Sequence, residues 1–266
     1  DVFEVFIIVH PCLKSLSLRF ITKDIGHPST TGAQIEKFLQ LNKGVQNLEM
    51  YEDVVNEFFT IDVTQSLNLT LKSLAINLSE TKDDVKANLE VFLKAQGASL
   101  LDLRMSLHQK HDREDFDFGY WRHDERDGMK ESTDLLILIN SWNALKSLEK
   151  LTLRFFKDSD VLEIERKVLS NLQPNSSLKE IKIQHINCEL PTAAILALLK
   201  FAPNIRTLYI TKLTLPIIRF LALNFILLRS LKYLMEEGDC KNEYLKMINE
   251  NKCDNKFIEI SQAYLG

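Results

Sequence analysis

The sequence predicts an α/β solenoid, a single parallel sheet of short strands with helices along its other side. Three observations predict it. A short apolar phrase, L-x-x-L-x-L, returns eight times along the chain. The segments between its copies are apolar at helical spacing. The 266 residues also hold 43 leucines but only 8 glycines and 6 prolines, too few turn formers for an all-β sandwich. A unit of strand, turn and helix cannot bury its apolar face alone, so neighbouring units must stack.

Taken in order, the phrase reads Leu13-Lys-Ser-Leu16-Ser-Leu18, Val45-Gln-Asn-Leu48-Glu-Met50, Leu71-Lys-Ser-Leu74-Ala-Ile76 and Leu100-Leu-Asp-Leu103-Arg-Met105. It continues as Leu148-Glu-Lys-Leu151-Thr-Leu153, Leu178-Lys-Glu-Ile181-Lys-Ile183, Ile205-Arg-Thr-Leu208-Tyr-Ile210 and Leu231-Lys-Tyr-Leu234-Met-Glu236. First residues are 32, 26, 29, 48, 30, 27 and 26 positions apart. The second half of each phrase alternates apolar and polar, the period of a half-buried strand. Helical spacing follows in Ala33, Ile35, Phe38, Leu39 and Leu41, and in Val85, Leu89, Phe92 and Leu93. It returns in Val161, Leu162, Ile164, Val168 and Leu169, and in Ile195, Leu196, Leu198 and Leu199 after Pro191. Residues 1–11 read as the helix closing an earlier unit. The 48-residue gap holds an insertion at 107–131, and the polar stretch from about 236 reads as a terminal cap. The expectation is one array over 1–266 of about eight repeats.

Units in the high twenties that contain full helices resemble the leucine-rich repeats of ribonuclease-inhibitor-like and F-box/leucine-rich-repeat proteins. That resemblance covers nearly the whole chain. It implies a horseshoe with the sheet on the concave face and helices on the convex face, and a non-enzymatic role in binding protein. In the F-box family an upstream F-box docks the Skp1–cullin scaffold, and the concave repeats hold the protein to be ubiquitinated. These residues contain no F-box, and the family's frequent cysteine at the strand end is mostly missing, Cys188 being the nearest relic. The resemblance therefore points first to substrate-recognition repeats of a ubiquitin ligase receptor. The alternatives are a stoichiometric binder or inhibitor, a scaffold subunit, and a secreted recognition protein.

In a strand of this pattern the third, fifth and seventh positions face away from the core. They supply the candidate partner-binding residues Arg19, Tyr51, Arg104, Lys150, Arg154, Lys182, Tyr209 and Tyr233. Tyr and Arg carry large contact area with a polar handle, which suits an interface. Arg104, Lys150, Arg154 and Lys182 fall on three successive units as a basic strip suited to carboxylates or phosphate. The alternative is that Asp102, Glu180 and their neighbours neutralise these cations across adjacent strands. In the insertion, Phe116, Phe118, Tyr120 and Trp121 lie among eight acidic and five basic residues and form a second candidate contact.

Other functions find less support. A net charge of −4 removes the usual case for nucleic acid or an anionic membrane surface. The greasy stretch 213–228 is broken by Pro216, Arg219 and Asn224, too early for a membrane span. Cys12, Cys188, Cys240 and Cys253 lack paired spacing and read as free thiols of a reducing compartment, cytoplasmic or nuclear. A Cys240–Cys253 disulfide is the secreted alternative, and sequons at Asn68, Asn77 and Asn175 matter only there. His108, His111 and His123 match no tetrahedral spacing, so neither metal nor cofactor is expected. No phosphate loop, nucleophile elbow or paired catalytic motif is present.

Overall fold

The computed structural model describes residues 12–18, 32–59, 69–79, 81, 83–108, 134–155, 173–185, 192–250 and 259–262. Nine strands are present among the described residues: β1 Ser15–Leu18, β2 Asn47–Met50, β3 Ser73–Ser79, β4 Asp102–His108, β5 Lys150–Phe155, β6 Glu180–His185, β7 Thr207–Thr214, β8 Ser230–Glu237 and β9 Glu259–Gln262. Between them stand α1 Gly32–Leu41, α2 Glu52–Phe58, α3 Asp83–Gln96, α4 Asp134–Ser141, α5 Thr192–Lys200, α6 Leu215–Asn224 and α7 Cys240–Asn249, with a 3-10 turn at Trp142–Ala144. The strands form one sheet, all parallel, in strictly sequential order. The fold is α/β with helices packed against their neighbours along the array: α1 on α2, α3 on α4, α5 on α6 and α6 on α7.

Register explains the leucine phrase. Leu16, Leu48, Leu74, Leu103, Leu151, Ile181, Leu208, Leu231 and Ile260 stand opposite one another across all nine strands. A second row runs through Met50, Ile76, Met105, Leu153, Ile183, Ile210 and Tyr233. The first apolar slot, from Val45 through Leu71, Leu100, Leu148, Leu178 and Ile205 to Leu228, is fully buried. Each slot thus becomes a continuous ladder in the core. Where a strand begins, two successive amides donate to one carbonyl of the preceding unit: Lys72 and Ser73 to Gln46, then Leu101 and Asp102 to Lys72, at 2.7–3.1 Å. The same fork recurs at every junction from β1 to β8. Buried amides add stitches between units, as Gln96 Oε1 accepts from the Leu71 amide and Asn175 Nδ2 donates to the Leu145 carbonyl.

The last unit departs from the sequence reading. Arg229 and Ser230 make the forked contact to Arg206, and Leu231 pairs with Leu208. The eighth phrase is therefore Leu228-Arg-Ser-Leu231-Lys-Tyr233, three residues earlier than read. The apolar pattern slid because a tyrosine fills the slot that an aliphatic residue holds elsewhere, while Leu231 and Leu234 imitate the phrase. Within the stretch read as a polar cap stand α7 and β9, and β9 adds a strand parallel to β8. Leu107 and His108, assigned to the insertion, belong to β4. The opening segment 1–11, most of the insertion and the apolar stretch 161–169 lie outside the described residues.

Candidate functional site: the open face of the sheet

Parallel sheets are ordinarily covered on both faces and read as continuous apolar runs. Here β6 alternates buried Ile181, Ile183 and His185 with half-buried Glu180, Lys182 and Gln184, so the polar set forms a wet face. A concavity of about 690 Å³ lies on that face over β1–β5, floored by Ser17, Glu49, Ala75, Arg104, Thr152 and Arg154 among others. Its β1–β2 end is laced by short polar bonds: Ser17 Oγ donates to Glu49 Oε2 at 3.0 Å and Asn47 Nδ2 to Ser15 Oγ at 2.9 Å.

The four cations read as a basic strip stand on β4, β5 and β6 and differ in their partners. Arg104 donates through both Nε and Nη2 to Asp102 Oδ2, at 3.2 and 2.8 Å. That hydrogen bond and charge hold its guanidinium above its ordinary pKa. Lys150 Nζ stands 3.6 Å from Glu180 Oε2 on the next strand. Two of the four cations are thus neutralised across or along strands, the alternative that the sequence left open. The other two are not. Arg154 donates Nε to the neutral amide oxygen of Gln184 at 3.0 Å. Lys182 Nζ sits 4.8 Å from the ring centroid of Tyr209, a cation–π arrangement. Partial burial pushes Lys182 below its ordinary value, and the neighbouring charges of Arg154 and Arg104 push the same way against Glu180. Tyr209 supplies the aromatic wall and is half-buried. Tyr51 is also half-buried, set between β2 and α2.

Tyr233 is a correction. The sequence pattern puts it among the partner-facing residues, yet it is buried at 6% exposure and stands opposite Ile210 in the core row. The three-residue slip of the last phrase put it on the wrong face. Its phenol donates to Glu236 Oε2 at 2.9 Å, and burial raises its pKa. The open-face residue on that strand is Lys232, which the sequence reading missed; it pairs with Tyr209 and is exposed. Only correct register of the last phrase would have found it. Arg19, Phe116, Phe118, Tyr120 and Trp121 lie outside the described residues.

The thiols and sequons also sort by placement. Cys12 is exposed and Cys240 is buried, both free. Asn77 lies half-buried on β3, whereas Asn175 is buried at 7% with its amide committed to Leu145, a poor acceptor for a glycan. Among the described residues no cluster of three His, Cys, Asp or Glu is placed to hold a metal ion. No helix among them is long and apolar enough to cross a membrane.

No family model matches this chain, and a search of curated proteins finds no match either.

Proposed function

We propose that the chain is a leucine-rich-repeat horseshoe that binds a protein partner on the open face of its sheet and performs no chemistry itself. Its leading role is substrate recognition for an F-box-type ubiquitin ligase receptor, with a Skp1–cullin scaffold engaged through a domain outside these residues. One observation carries the binding part: a parallel sheet leaves one face wet, and that face presents Arg154 and Lys182, without carboxylate partners among the described residues, beside Tyr209. A concave polar surface with an aromatic and uncompensated cations suits a partner bringing negative charge. The ligase role rests on unit length and the resemblance of the repeats.

Affinity purification of the tagged protein, wild type beside Arg154→Glu, tests both parts. Recovery of a cullin scaffold, together with a further partner lost in the variant, supports the ligase reading. One stoichiometric partner without the scaffold points instead to an inhibitor or a scaffold subunit. Recovery of the same partners by a folded Arg154→Glu protein overturns the open face as the site.

A further inference from the structure

The turns that lead into the strands line one rim of the array, where the forked amide contacts fix them. In most of them the residue just before the first buried slot is small or polar: Gly44, Thr70, Ser99, Ser147, Ser177 and Asn204. Before Leu228 it is Leu227, preceded by Ile226 and, near the end of α6, by Leu223. Ile226 and Leu223 are 62% and 61% exposed, the highest values for large apolar side chains among the described residues, and Leu227 is 36% exposed. Phe225 and Leu228 fill the core at this turn, so packing does not account for the other three aliphatics.

Cations border this trio. The Arg229 amide donates to the Arg206 carbonyl at 2.8 Å, which sets the two arginines side by side on the rim. Both are exposed, as is Lys200 at the end of α5, the helix that packs on α6. None of the three has an ion pair among the described residues. One unit back the matching rim cation, Lys179, is held by Glu149, and on α7 Glu243 is held by Arg219. The net charge of −4 does not cancel this corner, because exposed charges beyond a Debye length of about 8 Å are largely screened.

Side-chain chemistry selects the occupant. Hot spots between proteins favour aromatic and arginine anchors and use leucine sparingly, and none of the three apolar residues is aromatic. A second copy docked face to face through this corner would set Arg206 and Arg229 against their own counterparts. An anionic bilayer meets both halves of the surface. Aliphatic side chains enter the boundary between headgroups and acyl chains, while arginine and lysine reach the lipid phosphates.

We propose that Leu223, Ile226 and Leu227, bordered by Arg206, Arg229 and Lys200, dock the protein peripherally on an anionic membrane surface. The outward face of β4–β6 takes no part in this contact.

The test is co-sedimentation of the intact protein with vesicles of phosphatidylcholine alone, or of roughly two parts phosphatidylcholine to one part phosphatidylserine. Binding to the anionic vesicles should be about tenfold stronger and should fall as salt is raised. Leu223→Ser with Ile226→Ser, and Arg206→Gln with Arg229→Gln, should each weaken it roughly tenfold, with folding checked by circular dichroism. Val91→Ser, at a half-exposed aliphatic on α3, and Lys72→Gln, at an exposed rim cation before β3, should leave it unchanged. Ile226→Trp gives a second readout at one position: its emission should move to the blue on anionic vesicles and stay put on neutral ones. Absence of binding, equal binding to both vesicle types, or binding that survives either double variant overturns the proposal. Self-association that the Leu223→Ser, Ile226→Ser protein loses, without vesicle binding by the wild type, overturns it in favour of a second copy.

Discussion

The alternation of buried and wet positions along β5 makes a quantitative prediction from two adjacent residues. Leu151 is 2% exposed and lies between Leu103 and Ile181 in the ladder that crosses the whole sheet. Truncation to alanine removes three carbons at about 0.8 kcal/mol each, or about 2.4 kcal/mol. The ladder is pinned on both sides by forked backbone contacts, so the hole closes only in part. A residual void on the order of 50 Å³ adds about 1 kcal/mol at roughly 24 cal/mol per Å³. Leu151→Ala should therefore cost about 3–4 kcal/mol. Thr152→Ala, one residue on and facing the concavity, should change stability by no more than about 0.5 kcal/mol. Urea unfolding followed by far-ultraviolet circular dichroism measures both. Each unit is stabilised by its neighbours, so Leu151→Ala should also broaden the transition as the two halves of the array uncouple. A loss under about 1 kcal/mol at Leu151, or comparable losses at the two positions, would mean that β5 does not present these faces.

Three further outcomes follow from single placements. Tyr233→Ala should destabilise by about 3–5 kcal/mol because the ring fills a core slot, whereas Lys232→Ala should be close to silent; the reverse order in a thermal melt would restore the original phrase register. Gly97→Ala should cost about 1–3 kcal/mol, because a Cβ there would come within 2.2 Å of the Ala144 carbonyl oxygen where α3 ends against the 3-10 turn, and unchanged unfolding would mean that this approach is looser. Burial, aided by Glu236, Asp239 and Glu237, pushes the Cys240 thiol from 9.0 up to about 11; the folded state then holds a proton that the unfolded chain releases, so stability present below pH 9 declines between pH 9 and 11. Urea midpoints across that range should fall less steeply in Cys240→Ser, and identical slopes would remove Cys240 as a cause.

Much of this fold was legible because the sheet repeats one constraint at every strand. Leucine, isoleucine, valine or methionine at three fixed slots is what stacked units demand, and seven of the eight phrases fall in the observed register. Legibility failed where a residue met the constraint by another route. Tyr233 can occupy a core slot because its ring is apolar and its hydroxyl finds Glu236 three residues on, and no hydropathy pattern separates that from a tyrosine offered to a partner. β9 was hidden for a related reason. Its residues in register with the core rows are half-buried Ile260 and exposed Gln262, and the glutamine donates to the Leu234 carbonyl at 3.0 Å rather than joining the apolar core. The candidate site was legible as a list of outward positions and not as a charge distribution. Arg104 and Arg154 both face outward on neighbouring strands, two places apart in register, with Arg104 opposite Thr152 and Arg154 opposite Ser106. Which of them is free depends on whether the residue within reach is Asp102, two places back on the same strand, or Gln184, one strand over. That choice is made by register and side-chain direction together. A basic strip read from sequence therefore overcounts its available charge, and pairing across the sheet leaves Arg154 and Lys182 as the cations that a partner can still engage.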